Sequence, residues 1–344
     1  TLLTGRYVEI NVLPLSFKEY YEHFKNNKSE IDAEWIRKTW KKVKTYYQIF
    51  EEWYNNLEFY HYVGFLIHHG EKLDKLIELY KNDKNSFKGK LIELIKTKLN
   101  NCSDLERVYG EDGGKKTECR PLLILFNVQS VINENLELIK DEKYKLGTFY
   151  KFPFHLFKKE GKKKNGKGWE VEHIASNSGD NLDNEKNQKA WLASVAYCLP
   201  PTSELKVNIN DFITQNKGDF KSLVEEITKL DINPLTGIDK QKVWNYALLD
   251  SSTNEEYHND PFPIKRICLL SKEQGHKAKV TFNEKSGTIE IDKSESAIAF
   301  VPPCTKNVFI KAYTDLPDSL SAWTEKDAMA YKAKIEEVLH DFLS

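Results

Sequence analysis

Apolar positions recur along this chain with two periods, and they predict a mostly helical protein with short strands. Trp40, Val43, Tyr47, Phe50 and Tyr54 return at steps of three and four, which predicts an amphipathic helix inside a helix-rich stretch of residues 31–100. The simplest place for its aromatic side chains is a core. The run PLLILFNVQSV (121–131) is apolar on all sides and reads as a buried helix or strand. Trp169, Val171 and Ile174, set among polar neighbours, suggest a short strand ending near His173. Asp183 or Asn184 then offers an N-cap for a helix running to Cys198. Phe220, Leu223, Val224, Ile227 and Leu230 outline another amphipathic helix. Trp244–Leu249 has the apolar character of a strand, and Ser251–Asn254 follows it as a helix start. Lys279–Ile291 alternates around Glu284-Lys285-Ser286-Gly287, as a hairpin does. At the end, Thr324 and Asp327 form a capping box before the stripe Ala328, Tyr331, Ile335, Val338, Leu339 and Phe342.

Breaks in these patterns divide the chain. Cys102–Glu118, with Gly110, Gly113 and Gly114 among charges, reads as a loop. The segment 145–168, rich in glycine and lysine, holds the expected domain boundary. The division that follows is an N-terminal extension (1–30), a helical domain (31–157) and a C-terminal domain (158–344), in the α+β class.

Composition narrows the function classes. The 344 residues are 40% hydrophobic and 30% charged, so the chain folds with a heavily charged surface. No apolar run approaches the roughly 20 residues of a bilayer span, and the start lacks a signal-peptide pattern, so a soluble cytoplasmic protein is expected. The five cysteines, Cys102, Cys119, Cys198, Cys268 and Cys304, are widely spaced. This argues against a disulfide framework and against structural zinc, and predicts reduced, unliganded thiols. A net charge of −1 gives no global pull on a polyanion, so any nucleic-acid surface must be local. The run KKEGKKKNGK (158–167), including Lys162, Lys163 and Lys164, is the candidate.

Hydrolysis of a phosphodiester needs an activated water, a positive charge for the phosphate and side chains that hold both. Histidine suits the first task near neutral pH, and carboxylate or amide oxygens suit a hard cation. Glu172 and His173 are adjacent, so on a regular strand they point to opposite faces; a bend at the strand end brings them to one site. By themselves these two residues fit a solvated carboxylate beside a structural histidine better than a catalytic pair.

The segments WEVEHIASNSGDN (169–181) and VWNYALLDSSTNEEYHNDPFPIKR (243–266) resemble the nuclease domain of GmrSD-type restriction endonucleases, within the His-Me finger (HNH) superfamily. Further blocks share the resemblance: YQIFEEWYNNLEFYHYVGFLI (47–67), RPLLILFNVQS (120–130), FVPPCTKNVFIKAYT (300–314) and the C-terminal helix. It implies a ββα-metal core embedded in a mainly helical protein, followed by a hairpin and a helix. It also implies a divalent-metal-dependent DNA endonuclease of bacterial phage defence, using Mg2+ or Mn2+. Carried over residue by residue, His173 resembles the general base and Asn245 the brace of its loop. Glu172 and Asn254 resemble metal ligands, His258 lies one helical turn from Asn254 as a further ligand, and Lys265 and Arg266 resemble phosphate contacts. The implied partners are DNA, including modified phage DNA, and a separate nucleotide-hydrolysing subunit. The chain departs from the pattern at Glu255, where arginine is usual, at His258, and after His173, where Ile174-Ala175-Ser176 lacks the usual proline. These departures keep a second class in view: a non-catalytic DNA-binding or scaffold module. No phosphate-binding loop occurs, and residues 4–21 resemble a stretch of bacterial AAA-type ATPases, which marks them as a fused remnant.

Overall fold

A computed structural model describes residues 33–110, 114–140, 149–154, 170–176, 184–230, 239–249, 260–296, 300–319 and 322–343, with isolated residues at 18–26, 182 and 235. Most of the N-terminal extension, the 158–167 lysine run, Asn254, Glu255 and His258 lie outside the described residues. The fold is mainly helical with two small antiparallel sheets, an α+β arrangement. The chain divides into two compact units: Thr1–Ile95 with Ile132–Phe152, and Lys96–Val131 with Pro153–Ser344. Residues 96–131 thus join the C-terminal unit, whereas composition had suggested a boundary at 157/158.

In the first unit the predicted amphipathic helix forms as α1 (Ala33–Asn55). Its buried residues are Ile49 and Trp53, while Trp40, Tyr47 and Tyr54 are 67%, 63% and 55% exposed. The expected core stripe is therefore displaced. Apolar residues mark two adjacent stripes of this helix, each with valid three-four spacing, and packing partners select one of them. Helices α2 (Leu57–His68), α3 (Leu73–Asn82) and α4 (Phe87–Leu99) follow. Trp53 stacks on Phe87 with ring centroids 5.4 Å apart and meets Tyr80 edge-on at 5.6 Å. The buried His61 donates from Nδ1 to the Leu57 carbonyl at 2.7 Å and accepts the Phe152 amide on Nε2 at 3.1 Å. Both ring nitrogens are thereby satisfied with the imidazole neutral, and burial lowers its pKa to about 4.

The run 121–131 lies in α5 (Arg120–Lys140), entered through a 3-10 turn, Lys116–Cys119. The continuous helical stretch Lys116–Lys140 meets the length and apolarity of a bilayer span. In this fold Leu122–Phe126, Val128 and Val131 are buried inside the protein.

In the rest of the C-terminal unit the expected strands, the 185–198 and 220–230 helices, the hairpin and the closing helix form, three further helices join them, and the helix start expected at 251–254 lies outside the described residues. Strand β1 (Glu170–His173) pairs antiparallel with β2 (Tyr246–Leu249), His173 opposite Tyr246 and Glu172 opposite Ala247. Between them run α6 (Glu185–Cys198), α7 (Glu204–Gln215) and α8 (Phe220–Leu230). Asn184 is the N-cap of α6, accepting the Asn187 amide at 2.8 Å. After β2 come α9 (Phe262–Glu273) and the hairpin β3 (His276–Asn283) and β4 (Thr288–Ser296). Helices α10 (Pro303–Phe309), α11 (Glu325–Val338) and α12 (His340–Leu343) close the chain. Thr324 and Asp327 make the expected capping box, and Ala328, Tyr331, Ile335, Leu339 and Phe342 are buried. Thr305 on α10 donates to the Leu248 carbonyl at 2.8 Å and Tyr331 on α11 to that of Tyr246 at 3.3 Å, so both helices pin β2. All five cysteines are free thiols.

Candidate functional site around Glu172 and His173

The two candidate residues sit on β1 because Val171 anchors that strand in the core at 1% exposure. Strict alternation would send Glu172 and His173 to opposite sides, but at this strand end their charges act on each other and Lys116 acts on both. Glu172 is 9% exposed, and both of its carboxylate oxygens are engaged. Oε2 receives the Lys116 ammonium at 2.9 Å and Oε1 that of Lys265 at 3.3 Å. Burial alone would push the Glu172 carboxyl up, but the charges of Lys265 and Lys116 outweigh it and hold the group below its ordinary range.

Lys265 projects from the first turn of α9 and is fully buried. It also donates to the His173 carbonyl at 2.7 Å. Burial lowers its pKa, with Glu172 pulling the other way. The expectation that Lys265 contacts phosphate is therefore corrected: its ammonium ties the end of β1 to α9 and has no surface to offer DNA. Arg266, its neighbour in sequence, is half-buried.

His173 packs against the Tyr246 ring at 4.9 Å, and its Nε2 lies 3.3 Å from Gln241 Oε1. The same oxygen accepts the Tyr246 hydroxyl at 3.0 Å, which orients the amide. Nε2 therefore carries the proton, and Nδ1 holds the basic lone pair. Burial, followed by the Lys116 charge, lowers the His173 pKa to about 4, so the ring is neutral at neutral pH.

Asn245 stands in a 3-10 turn (Val243–Asn245) just before β2, not in the strand itself. It is fully buried. Its Oδ1 accepts the Ala175 amide at 2.8 Å, and its Nδ2 donates to the Ala175 carbonyl at 3.0 Å and to that of Lys240 at 3.1 Å. The Ile174 amide bonds the Asn245 carbonyl at 2.8 Å. These bonds fix the turn that leaves His173.

The structure thus brings Glu172, His173, Asn245 and Lys265 together, while Asn254 and His258 lie outside the described residues. Of the implied cation ligands only Glu172 is among the described residues, where both of its oxygens are engaged. Each carboxylate oxygen already carries an ammonium, and no group of three His, Cys, Asp or Glu side chains converges among them. Lys116, Gln241 and Tyr246 complete the site and were not foreseen. Lys116 falls in a segment that reads as a charged loop, and its role depends on a partner 56 positions later, which no local spacing announces.

Comparison with protein-family models, with curated proteins and with solved structures finds no match to this chain.

Proposed function

We propose that the C-terminal unit is a His-Me finger-type module that hydrolyses phosphodiester bonds in DNA, with His173 as the general base. The supporting observation is the clamp of Asn245 on Ala175, which holds the turn after His173 while Gln241 engages Nε2 of the neutral imidazole and leaves the lone pair to Nδ1. In this reading water attacks phosphorus, its proton passes to Nδ1 of His173, and the bond from phosphorus to the departing sugar oxygen breaks, that oxygen taking a proton from solvent. Lys116, partly exposed beside Glu172 and electrostatically coupled to His173, supplies positive charge for the phosphate. Glu172 and Lys265 act as positioning residues: the buried pair fixes the end of β1 on α9, and Glu172 also holds Lys116.

The test is nicking of supercoiled plasmid by the full chain, with Mg2+, with Mn2+ and with a chelator. Wild-type protein is expected to nick, and His173→Ala to lose activity by about 100-fold or more while still binding DNA. Nicking undiminished in His173→Ala overturns the assignment of the base. The double ion pair on Glu172 favours one alternative, a DNA-binding scaffold of a defence complex. In that case the chain binds DNA and nicks it under none of the three conditions.

A further inference from the structure

The apolar stripe that the fold leaves uncovered on α1 is regular. Ile36, Val43 and Phe50 repeat every seven residues, as do Trp40, Tyr47 and Tyr54, and the two series interleave at steps of four and three. This is the heptad spacing of a coiled-coil seam, sustained over about 27 Å of helix. Ile36, Trp40, Tyr47 and Tyr54 are 55%, 67%, 63% and 55% exposed, and Val43 and Phe50 are half-buried. The helix meets its own unit with a different side. Its buried residues are Ile49 and Trp53, and Tyr20 stacks on Trp35 with ring centroids 6.1 Å apart.

Between Ala33 and Gln48 no residue is buried, and a helical stretch of that length is marginal in water without a partner. Charge and area select a second copy of the chain as that partner. Arg37, Lys44 and Glu51 flank the seam at the same position of successive heptads. All three are exposed and make no ion pair among the described residues, whereas Glu34 and Glu52 are already paired with Lys38 and Lys84. Antiparallel pairing of two copies sets each Trp40 against Phe50, each Tyr47 against Val43 and each Tyr54 against Ile36. The same register brings Arg37 to Glu51 of the other copy twice, against a single approach of Lys44 to Lys44 at the twofold axis. A parallel pair would face these charges with Thr39 and Tyr46 and would crowd the basic first halves of both helices together. Aromatic side chains bring about 150–250 Å² each, so at these exposures Trp40, Tyr47 and Tyr54 of two copies cover roughly 550–900 Å². With Ile36, Val43 and Phe50 added, the seam reaches the roughly 1,000 Å² that a specific interface needs.

We propose that α1 is a dimerisation helix, which pairs antiparallel with α1 of a second copy of this chain through the heptad seam from Ile36 to Tyr54. In that dimer the uncovered first half of each helix lies against the second half of the other, whose far side is packed on its own unit. The proposal goes beyond the nuclease reading and does not depend on it.

Sedimentation equilibrium of the full chain over roughly 1–100 μM tests it. The wild type is expected to pass from one copy per particle to two. Trp40→Glu, which the symmetry places in the seam twice, should leave only monomer. Its thermal midpoint should match that of wild type at concentrations where both are monomeric, because Trp40 is exposed in the single chain. Arg37→Glu should weaken the dimer by about 10-fold, and adding Glu51→Arg should restore it to within about threefold, since the swap recreates both pairs. Lys44→Cys should crosslink two copies under mild oxidation, while the chain with only its own cysteines should not. A wild type that stays monomeric throughout overturns the proposal, as does a dimer that survives Trp40→Glu. A dimer that the double swap fails to restore, or that Lys44→Cys does not crosslink, overturns the antiparallel pairing. If Trp40→Glu lowers the thermal midpoint of a monomer, the stripe packs on the chain's own N-terminal residues; if it weakens DNA binding by a monomer, the stripe belongs to nucleic acid. Either result removes the second copy as the occupant.

Discussion

His173 and Glu172 occupy neighbouring positions and experience opposite electrostatics, which makes their pH behaviour separable. The folded pKa of His173 lies near 4, below the roughly 6.5 of a solvated imidazole. Between these values the unfolded chain binds the extra proton, so stability falls as pH drops from about 6.5 towards 4. The buried His61 adds a loss of the same sign. Glu172 works in the other window: its lowered pKa contributes stability above the ordinary carboxyl value of about 4.3, lost as pH falls further. For activity, the acid limb of kcat/KM for nicking should lie near pH 4 rather than 6.5, and a pH–rate profile checks it. Lys265→Met should destabilise by about 3–5 kcal/mol, because it removes one of two cations from a buried carboxylate. Adding Glu172→Gln should recover part of that loss. Urea titration of both variants reads this, and additive losses would show that the two groups do not act as a pair.

At the scale of elements, two tight fits hold the C-terminal unit's secondary structure in place. In the β3–β4 turn Gly287 adopts φ 70°, and a Cβ built there would stand 2.8 Å from Ile213 Cγ2 on α7. Gly287→Ala should therefore cost about 1–3 kcal/mol, part backbone strain and part overpacking, read from the shift in thermal midpoint. The start of α11 depends on Asp327, which accepts Lys311 at 2.6 Å, Thr314 at 2.9 Å and the Thr324 hydroxyl at 2.8 Å. Lys311 and Asp327 are both almost fully buried. Asp327→Asn should thus lose about 3–5 kcal/mol by stranding a buried ammonium, whereas Thr324→Ala, a lost cap, should lose about 1 kcal/mol in the same denaturation assay.

For the whole molecule, a net charge of −1 means that any attraction to DNA, as the proposed function requires, must come from patches. The 158–167 lysine run is the strongest in the sequence. Changing Lys162, Lys163 and Lys164 together to Glu should weaken DNA binding across sequences. It should also flatten the plot of log affinity against log salt by about 2–3, close to one per lost phosphate contact. An unaltered slope in anisotropy titrations would make the run a solvated loop. Lys265 contributes nothing to this slope, because its ammonium is consumed inside the fold.

The sequence by itself determined the local elements of the C-terminal unit. The strand ending at His173, the Asn184 cap, the hairpin around Gly287 and the Thr324–Asp327 box all depend on alternation, periodicity or hydrogen bonds within four residues. Tertiary structure alone decided which of two apolar stripes on α1 is buried, since both satisfy the helical period and only neighbours discriminate. It also decided the chemistry around Glu172. A lysine after Phe262 is equally compatible with solvent and with a core, and its place at the N-terminal turn of α9 beneath β1 turned it into a counter-ion. Lys116 reaches Glu172, and Trp191, Phe262 and Trp323 gather into one cavity, through contacts spanning 56 to 132 positions. Loop closure over such distances leaves no periodic trace in the chain, so only the packed fold reveals these partners.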